Sequence, residues 1–252
     1  MPMLLASDVY EIILNLSRKD LRGRSLSPEE YNSTARIVNE TVFAKYYAEF
    51  ENSSENSESL SGFKVLGEFI PIVAGVGTLP ASYYHVVGMP WYLSTGSVRR
   101  YLDLVSSLEH SKREQDYLTK ATLIHPTFRF GLVDVAADMT VHVSPAIGIN
   151  PIYLDYIRIP NVPILDYYLN DTTLNYTLLE EGVAVDVPLG STLKDGTQGP
   201  VVGYVPDSIE WEWDAEDLPL IISLFLQHLG IQLPDNILYE GGTLIEQKSD
   251  KL

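Results

Sequence analysis

The sequence contains no cysteine. That absence excludes disulfide scaffolds, thiolate nucleophiles, iron–sulfur clusters and cysteine-ligated zinc. Positive charge is also scarce: 17 Lys and Arg stand against 34 Asp and Glu, a formal net charge of −17. A chain so balanced does not coat duplex DNA through its phosphates, which requires clustered Lys and Arg. It does not dock on an anionic membrane for the same reason. Long apolar runs are lacking too. The stretch 69–98 carries no formal charge, but Pro71, Pro80, Pro90 and four glycines interrupt it, so no continuous spanning helix is expected. Residues 1–8 have neither a basic region nor a long apolar core, so no secretory leader is expected, and synthesis in a reducing cytoplasm is. The Asn-x-Ser/Thr matches at Asn32, Asn39 and Asn175 then read as products of composition.

What is present supports a folded protein. The 252 residues are 45% hydrophobic and 10% aromatic, with 16 Tyr, enough for a core without metal or disulfide staples. The charge is uneven. Residues 1–150 hold 13 basic and 17 acidic groups, whereas 151–252 hold 4 and 17. The C-terminal part is therefore the acidic face, suited to solubility or to a basic partner.

Periodicity predicts a helix over 8–19, with Val9, Ile12, Ile13 and Leu16 on one face and Asp8 as N-cap with Glu11 at N3. Ser27-Pro28-Glu29-Glu30 is a capping box with proline at N1. It starts a second helix expected to reach about Phe50 and to carry Tyr31, Ala35, Val38, Val42 and Tyr46 inward. The two helices make an αα-hairpin over 1–50. Residues 51–62 hold five serines and three glutamates and read as a flexible acidic linker. From 63 the texture changes to short β-prone runs punctuated by Pro and Gly. Strands are expected at 127–133, 139–143, 152–159, 183–187, 201–205 and 208–213, with a short surface helix near 107–118. In 208–213, Ile209, Trp211 and Trp213 share one face. A last helix lies within 214–230, with Asp217 as N-cap and Gly230 at C′, and 231–252 forms a tail. The fold class is α+β: an N-terminal helical hairpin, an irregular β-rich body over 63–213, and a C-terminal helix.

Residue types that carry chemistry do not converge in the sequence. The histidines, His85, His110, His125, His142 and His228, form no ligand pair. No Gly-x-Ser-x-Gly elbow or P-loop occurs, and Gly75-Val76-Gly77 lacks the third glycine of a dinucleotide fingerprint, so it reads as a flexible loop. Acid pairs such as Glu180-Glu181 and Glu216-Asp217 are expected by chance in an acidic chain. No catalytic, cofactor or metal residue is assigned. Tyrosines 83, 84, 153, 156, 167 and 168 suit either a stacking platform for sugar or base, or a subunit interface.

Five landmarks then occur in order. Leu14-Asn15-Leu16-Ser17-Arg18-Lys19-Asp20, Arg22-Gly23 and Leu26-Ser27-Pro28-Glu29-Glu30-Tyr31-Asn32 form the first. Leu79-Pro80-Ala81-Ser82-Tyr83-Tyr84-His85, His125-Pro126-Thr127 and Tyr156-Ile157-Arg158-Ile159-Pro160 with Pro163 follow, and the stretch 209–233 closes the set. This series resembles virion proteins of crAss-like and related Bacteroidetes phages, in the head–tail connector and tail-ring class. The chain departs from the pattern at Ile164-Leu165-Asp166, where the family has an aromatic, and at 145–151, which reads as an insertion. The resemblance implies a non-enzymatic ring subunit without cofactor, located in the virion neck or tail and repeated, twelvefold by portal symmetry, beneath the portal. Its implied partners are copies of itself, the portal protein and neighbouring tail-ring proteins, with phage DNA passing unbound and no membrane. Tyr83, Tyr84, Tyr156, Arg158 and Trp211 are the residues expected at the subunit interface. The alternative reading is a carbohydrate- or peptide-binding module with a tyrosine-rich surface.

Overall fold

A computed structural model describes residues 4–20, 26–52, 60–94, 97–116, 118–130 and 139–230. The chain is α+β, and it divides into two compact units: unit 1 comprises Met1–Ser53 and Pro160–Leu252, and unit 2 comprises Ser54–Ile159. The division therefore runs through the 63–213 stretch, just after Ile159.

Unit 1 is built on helices α1 (Ala6–Asp20), α2 (Pro28–Asn52) and α4 (Leu218–His228). Its short strands are β10 (Asp166–Asn170), β11 (Tyr176–Leu179), β12 (Val185–Val187), β13 (Ser191–Leu193) and β14 (Val201–Tyr204). The capping box at α2 forms as expected: the Glu30 amide donates to Ser27 Oγ at 3.2 Å, and the Ser27 amide to the Glu30 carboxylate at 3.3 Å. The other two expected caps turn out differently. Helix α1 begins two residues before Asp8, because Glu210, far along the chain, accepts from the Ala6 amide and caps it from outside. Asp217 does stand at the N-cap position of α4 but makes no side-chain cap bond there; its carboxylate accepts instead from the Tyr46 hydroxyl. Gly230 does close α4 at a positive φ of 73°, the conformation that glycine adopts without strain.

Helix α4 is apolar along Leu218, Ile221, Ile222, Phe225 and Leu226, all buried, and both N-terminal helices pack against it. At its centre Tyr31 stacks on Phe225 with centroids 5.1 Å apart, and Trp211 meets the same ring edge-on at 6.0 Å. Polar atoms in this core are paired, as burial demands. Trp211 Nε1 donates to the Tyr31 hydroxyl at 2.9 Å, and that hydroxyl donates to the Ala6 carbonyl at 3.0 Å. Trp213 Nε1 donates to Asn39 Oδ1 at 2.7 Å. The expected strand at 208–213 is not a strand. Ile209 bridges singly to Ile164 and Trp211 singly to Leu4; two unrelated partners cannot build a ladder. Trp211 and Trp213 nonetheless share a side, and both are buried.

Unit 2 holds β1 (Lys64–Ile70), β2 (Val76–Thr78), β3 (Tyr83–Val86), β4 (Trp91–Ser94), β5 (Val98–Tyr101), β6 (Asp103–Leu104), α3 (Ser107–Gln115), β7 (Thr127–Phe130), β8 (Thr140–Ser144) and β9 (Ile152–Arg158). One sheet runs β1-β9-β4-β5, with β3 also paired to β9, and a second runs β2-β8-β7-β6. Ile70, Tyr92, Phe128, Val141, Ile152, Leu154 and Tyr156 belong to the core of this unit. The Gly75–Gly77 segment does not form a free loop. Gly77 lies in β2, paired with Val141, and a Cβ there would stand 2.6 Å from Ile72 Cδ1 and 3.1 Å from the Pro71 carbonyl oxygen, so a larger residue would make Ile72 shift. The expected strands at 127–133, 139–143, 152–159, 183–187 and 201–205 are present within a residue or two; positions 131–133 lie outside the described residues. So do most of the 51–62 linker and the whole 231–252 tail.

Candidate functional site: an exposed aromatic ladder

The segment 90–101 alternates in a way that fixes two faces. Strands β4 and β5 pair as a hairpin, with Trp91 opposite Tyr101 and Leu93 opposite Arg99. Period-two geometry sends Tyr92 to the core face and Trp91, Leu93, Arg99 and Tyr101 to the other. The core side is anchored: Tyr92 is buried, and its hydroxyl donates to the Leu123 carbonyl at 2.6 Å. Strand β9 continues the same division. Ile152, Leu154 and Tyr156 enter the core, while Tyr153 lies on the outer face beside Trp91. Strand β1 adds Phe69, directly opposite Tyr153. A bulge precedes it, with Gly67 at φ 66° donating its amide to Asp155 Oδ1 at 2.6 Å, which pins β1 to β9.

The outer face therefore carries a continuous ladder across four strands. Phe69 meets Tyr153 edge-to-face at 6.2 Å, and Tyr153 stacks on Trp91 at 4.2 Å with planes 14° apart. The Arg99 guanidinium, from the neighbouring strand β5, lies 3.9 Å over the Trp91 ring. Around this row Phe69 is 57% exposed, Tyr101 54% and Leu93 47%. Each aromatic pair contributes about 0.5–1.5 kcal/mol beyond burial, and an exposed cation–π contact about 0.5–1 kcal/mol. These contacts fix the rotamers before any partner arrives, so ordering the face costs little on binding. Neither Arg99 nor Arg100 has a carboxylate partner among the described residues.

The geometry also limits what the ladder can bind. A sugar or a nucleobase stacks on an open ring face. Trp91 is already stacked against Tyr153 and lies under the Arg99 guanidinium. What remains outward is ring edges, aliphatic Leu93, the Tyr101 side chain and a guanidinium, the composition of a protein contact.

The residues expected at an interface fall elsewhere. Tyr83 is half-buried between Phe130 and Tyr156, and burial pushes its hydroxyl up to about 12. Tyr84 is 43% exposed on β3. The Arg158 guanidinium lies 5.3 Å from the Phe63 ring. Tyr156 and Trp211 are corrected to core residues: their side chains are buried within their own units and do not reach a surface. Of the other tyrosines considered, Tyr153 is in the ladder, whereas Tyr167 and Tyr168 belong to unit 1. Phe69, Trp91, Arg99 and Tyr101 escaped the sequence reading. The available signal is two short β-prone runs, 91–94 and 98–101, separated by the Thr95-Gly96-Ser97 sequence.

One buried carboxylate stands out in unit 1. Asp166 has no exposure, and its oxygens accept from the Tyr167 amide (2.8 Å), the Tyr204 hydroxyl (2.7 Å) and the Asp207 amide (2.9 Å). Lys194 Nζ stands 4.0 Å away. Burial, then the bond to Asp166, holds the Tyr204 hydroxyl protonated far above its ordinary range. With its oxygens so occupied, Asp166 ties β10 to the 204–208 segment and presents nothing to a substrate. Among the described residues no three His, Asp or Glu side chains gather as a metal site would need, and no helix is long and apolar enough to cross a membrane. Comparison of the chain with protein-family models and with curated proteins finds no match.

Proposed function

We propose that this chain is a bacteriophage virion structural protein: a non-enzymatic ring subunit of the head-to-tail connector or tail barrel beneath the portal. The observation that carries the reading is the pre-ordered ladder on the outer face of the β1-β9-β4-β5 sheet. A half-exposed aromatic row, locked by its own stacking and flanked by exposed Phe69, Leu93 and Tyr101, is the surface of a subunit made to be covered. The ordered sequence landmarks shared with connector and tail-ring proteins point to the same role. In this reading the chain forms a homo-oligomeric ring, twelvefold by analogy with portals, and contacts the portal and adjoining rings.

The charge supports the same role. Unit 1 carries 9 basic and 24 acidic groups, net −15, and unit 2 carries 8 and 10, net −2. An acidic wall repels phosphate, so packaged DNA passes it without specific binding. The alternative is a carbohydrate- or peptide-binding module with a tyrosine-rich surface; the stacking of Tyr153 and Arg99 on Trp91 disfavours its carbohydrate form.

The test is direct. Purified particles are expected to contain the chain in a fixed ratio to the portal protein, located at the neck or tail by imaging. Absence from purified particles, or sealed and tailed particles assembled without it, overturns the proposal.

A further inference from the structure

We infer that the ladder of unit 2 docks on the acidic β12-β14 ribbon of unit 1 in a second copy of the chain, a head-to-tail contact. The inference rests on the ring-subunit reading for the idea of assembly, and on two surfaces for its geometry.

The first surface is the ladder, with its Arg99 guanidinium unpaired by any carboxylate among the described residues and flanked by exposed Leu93, Phe69 and Tyr101. The second is a two-stranded ribbon. Val185 pairs with Tyr204 and Val187 with Val201. One side of it packs on Leu179 and Leu193. The other exposes Val202 (84%), with Leu189 and Val205 nearby in the chain and also exposed. A ribbon of two strands is marginal by itself, and one that leaves aliphatic side chains in water gains from being covered. Its surroundings are acidic: Glu180, Glu181, Asp186 and Asp207 are exposed, and Lys194 is the one Lys or Arg between Arg158 and Lys248.

Charge decides which surfaces can meet. Contact between two copies of unit 1 sets −15 against −15, and contact between two ladders sets Arg99 against Arg99. Ladder against ribbon brings an unpaired guanidinium to a carboxylate-rich rim and covers apolar side chains on both sides. The contact joins two different surfaces, one on each unit, and repeated head to tail it is heterologous. It propagates, and closes into a ring when the rotation per subunit divides the circle.

The test uses the full chain with two variants at exposed positions, Arg99→Glu and Val202→Glu, each checked for wild-type circular dichroism and thermal midpoint. Mass photometry and sedimentation are expected to show wild-type oligomers larger than dimers. Each variant alone is expected to associate at least about tenfold more weakly. An equimolar mixture of the two is expected to give a one-to-one dimer and nothing larger, since each copy retains one intact surface. A wild-type chain that stays monomeric to about 1 mM overturns the inference. So does undiminished association of either variant, or a dimer that depends on Arg99 and is indifferent to Val202, which is the ladder-to-ladder mode. Failure here leaves the virion location of the chain intact if particles contain it. Correct mixing behaviour with the chain missing from particles would overturn the virion reading and leave this contact standing.

Discussion

Tyr31→Phe removes one oxygen from the centre of unit 1 and should be among the costliest single-atom changes in the chain. The Tyr31 side chain is fully buried, and its hydroxyl serves two partners: it accepts from Trp211 Nε1 at 2.9 Å and donates to the Ala6 carbonyl at 3.0 Å. Burial raises the phenol far above its ordinary range, so the group is protonated at every accessible pH. Phenylalanine keeps the stacking on Phe225 and creates almost no cavity. The loss is therefore polar. A buried Trp N–H with no acceptor costs about 1–3 kcal/mol, and a lost neutral hydrogen bond about 1 kcal/mol, giving about 2–4 kcal/mol in all. Against the 5–15 kcal/mol typical of a domain, that is a large fraction. Two of the three tryptophans, Trp211 and Trp213, belong to unit 1, so Trp fluorescence in a Trp91→Phe background reports unit 1 alone. In urea the midpoint should fall by about 1–2 M at unchanged slope. A shift corresponding to less than about 0.5 kcal/mol would mean that water reaches Trp211 Nε1, and the account of this core would be wrong.

Two further changes test other features. Glu210 is pushed upward from its ordinary value of 4.5, first by burial and then by Glu181, Asp8 and Glu180, against the lowering effect of the Ala6 amide. A carboxyl raised by folding favours the protonated chain, so its contribution is largest below the unfolded value and is lost as pH rises through the folded one. Glu210→Gln should therefore be more heat-stable than wild type at neutral pH, with the gain vanishing in acid; a difference constant with pH would refute this. Ser191 Oγ is the buried side-chain oxygen without a hydrogen-bond partner among the described residues. Ser191→Ala should be neutral or stabilising by up to about 1 kcal/mol in thermal melts, and clear destabilisation would reveal a hidden partner.

The parts of this fold legible in the sequence are those decided locally. The Ser27–Glu30 box needs four residues and forms as read; the Gly230 stop and the apolar face of α4 are equally local. Caps supplied from a distance were not legible. Nothing around Ala6 announces that Glu210 will cap it. The candidate site failed in a similar way. Tyrosine and tryptophan suit cores and interfaces alike, and only strand parity and partners separate the two uses. Tyr153 and Tyr156 lie three apart on one strand, so one faces out and the other in. Trp211, which the resemblance places at the subunit interface, packs in the fold against Tyr31 and Phe225. Strands β2 to β6 have four residues or fewer and the sequence between 69 and 98 is dense in Pro and Gly, which hides their alternation; the longer β1 is broken by the bulge at Gly67.

The order of the two units along the chain has a consequence for how the protein forms. Unit 2 is continuous, whereas unit 1 is assembled from both ends of the chain. Tyr31 finds Phe225 and Trp211 only across about 180 residues or more of sequence, and closing so long a loop is entropically opposed until its contacts reward it. During synthesis the ladder sheet, which lies wholly within 54–159, has all of its strands before Trp211 and α4 exist. The near-neutral unit with the exposed aromatic row is thus the first that can fold, and the strongly acidic unit is the last. Under the head-to-tail contact inferred above, a nascent chain carries the ladder but no finished ribbon. Incomplete chains then cannot propagate with one another, and assembly waits for completed copies.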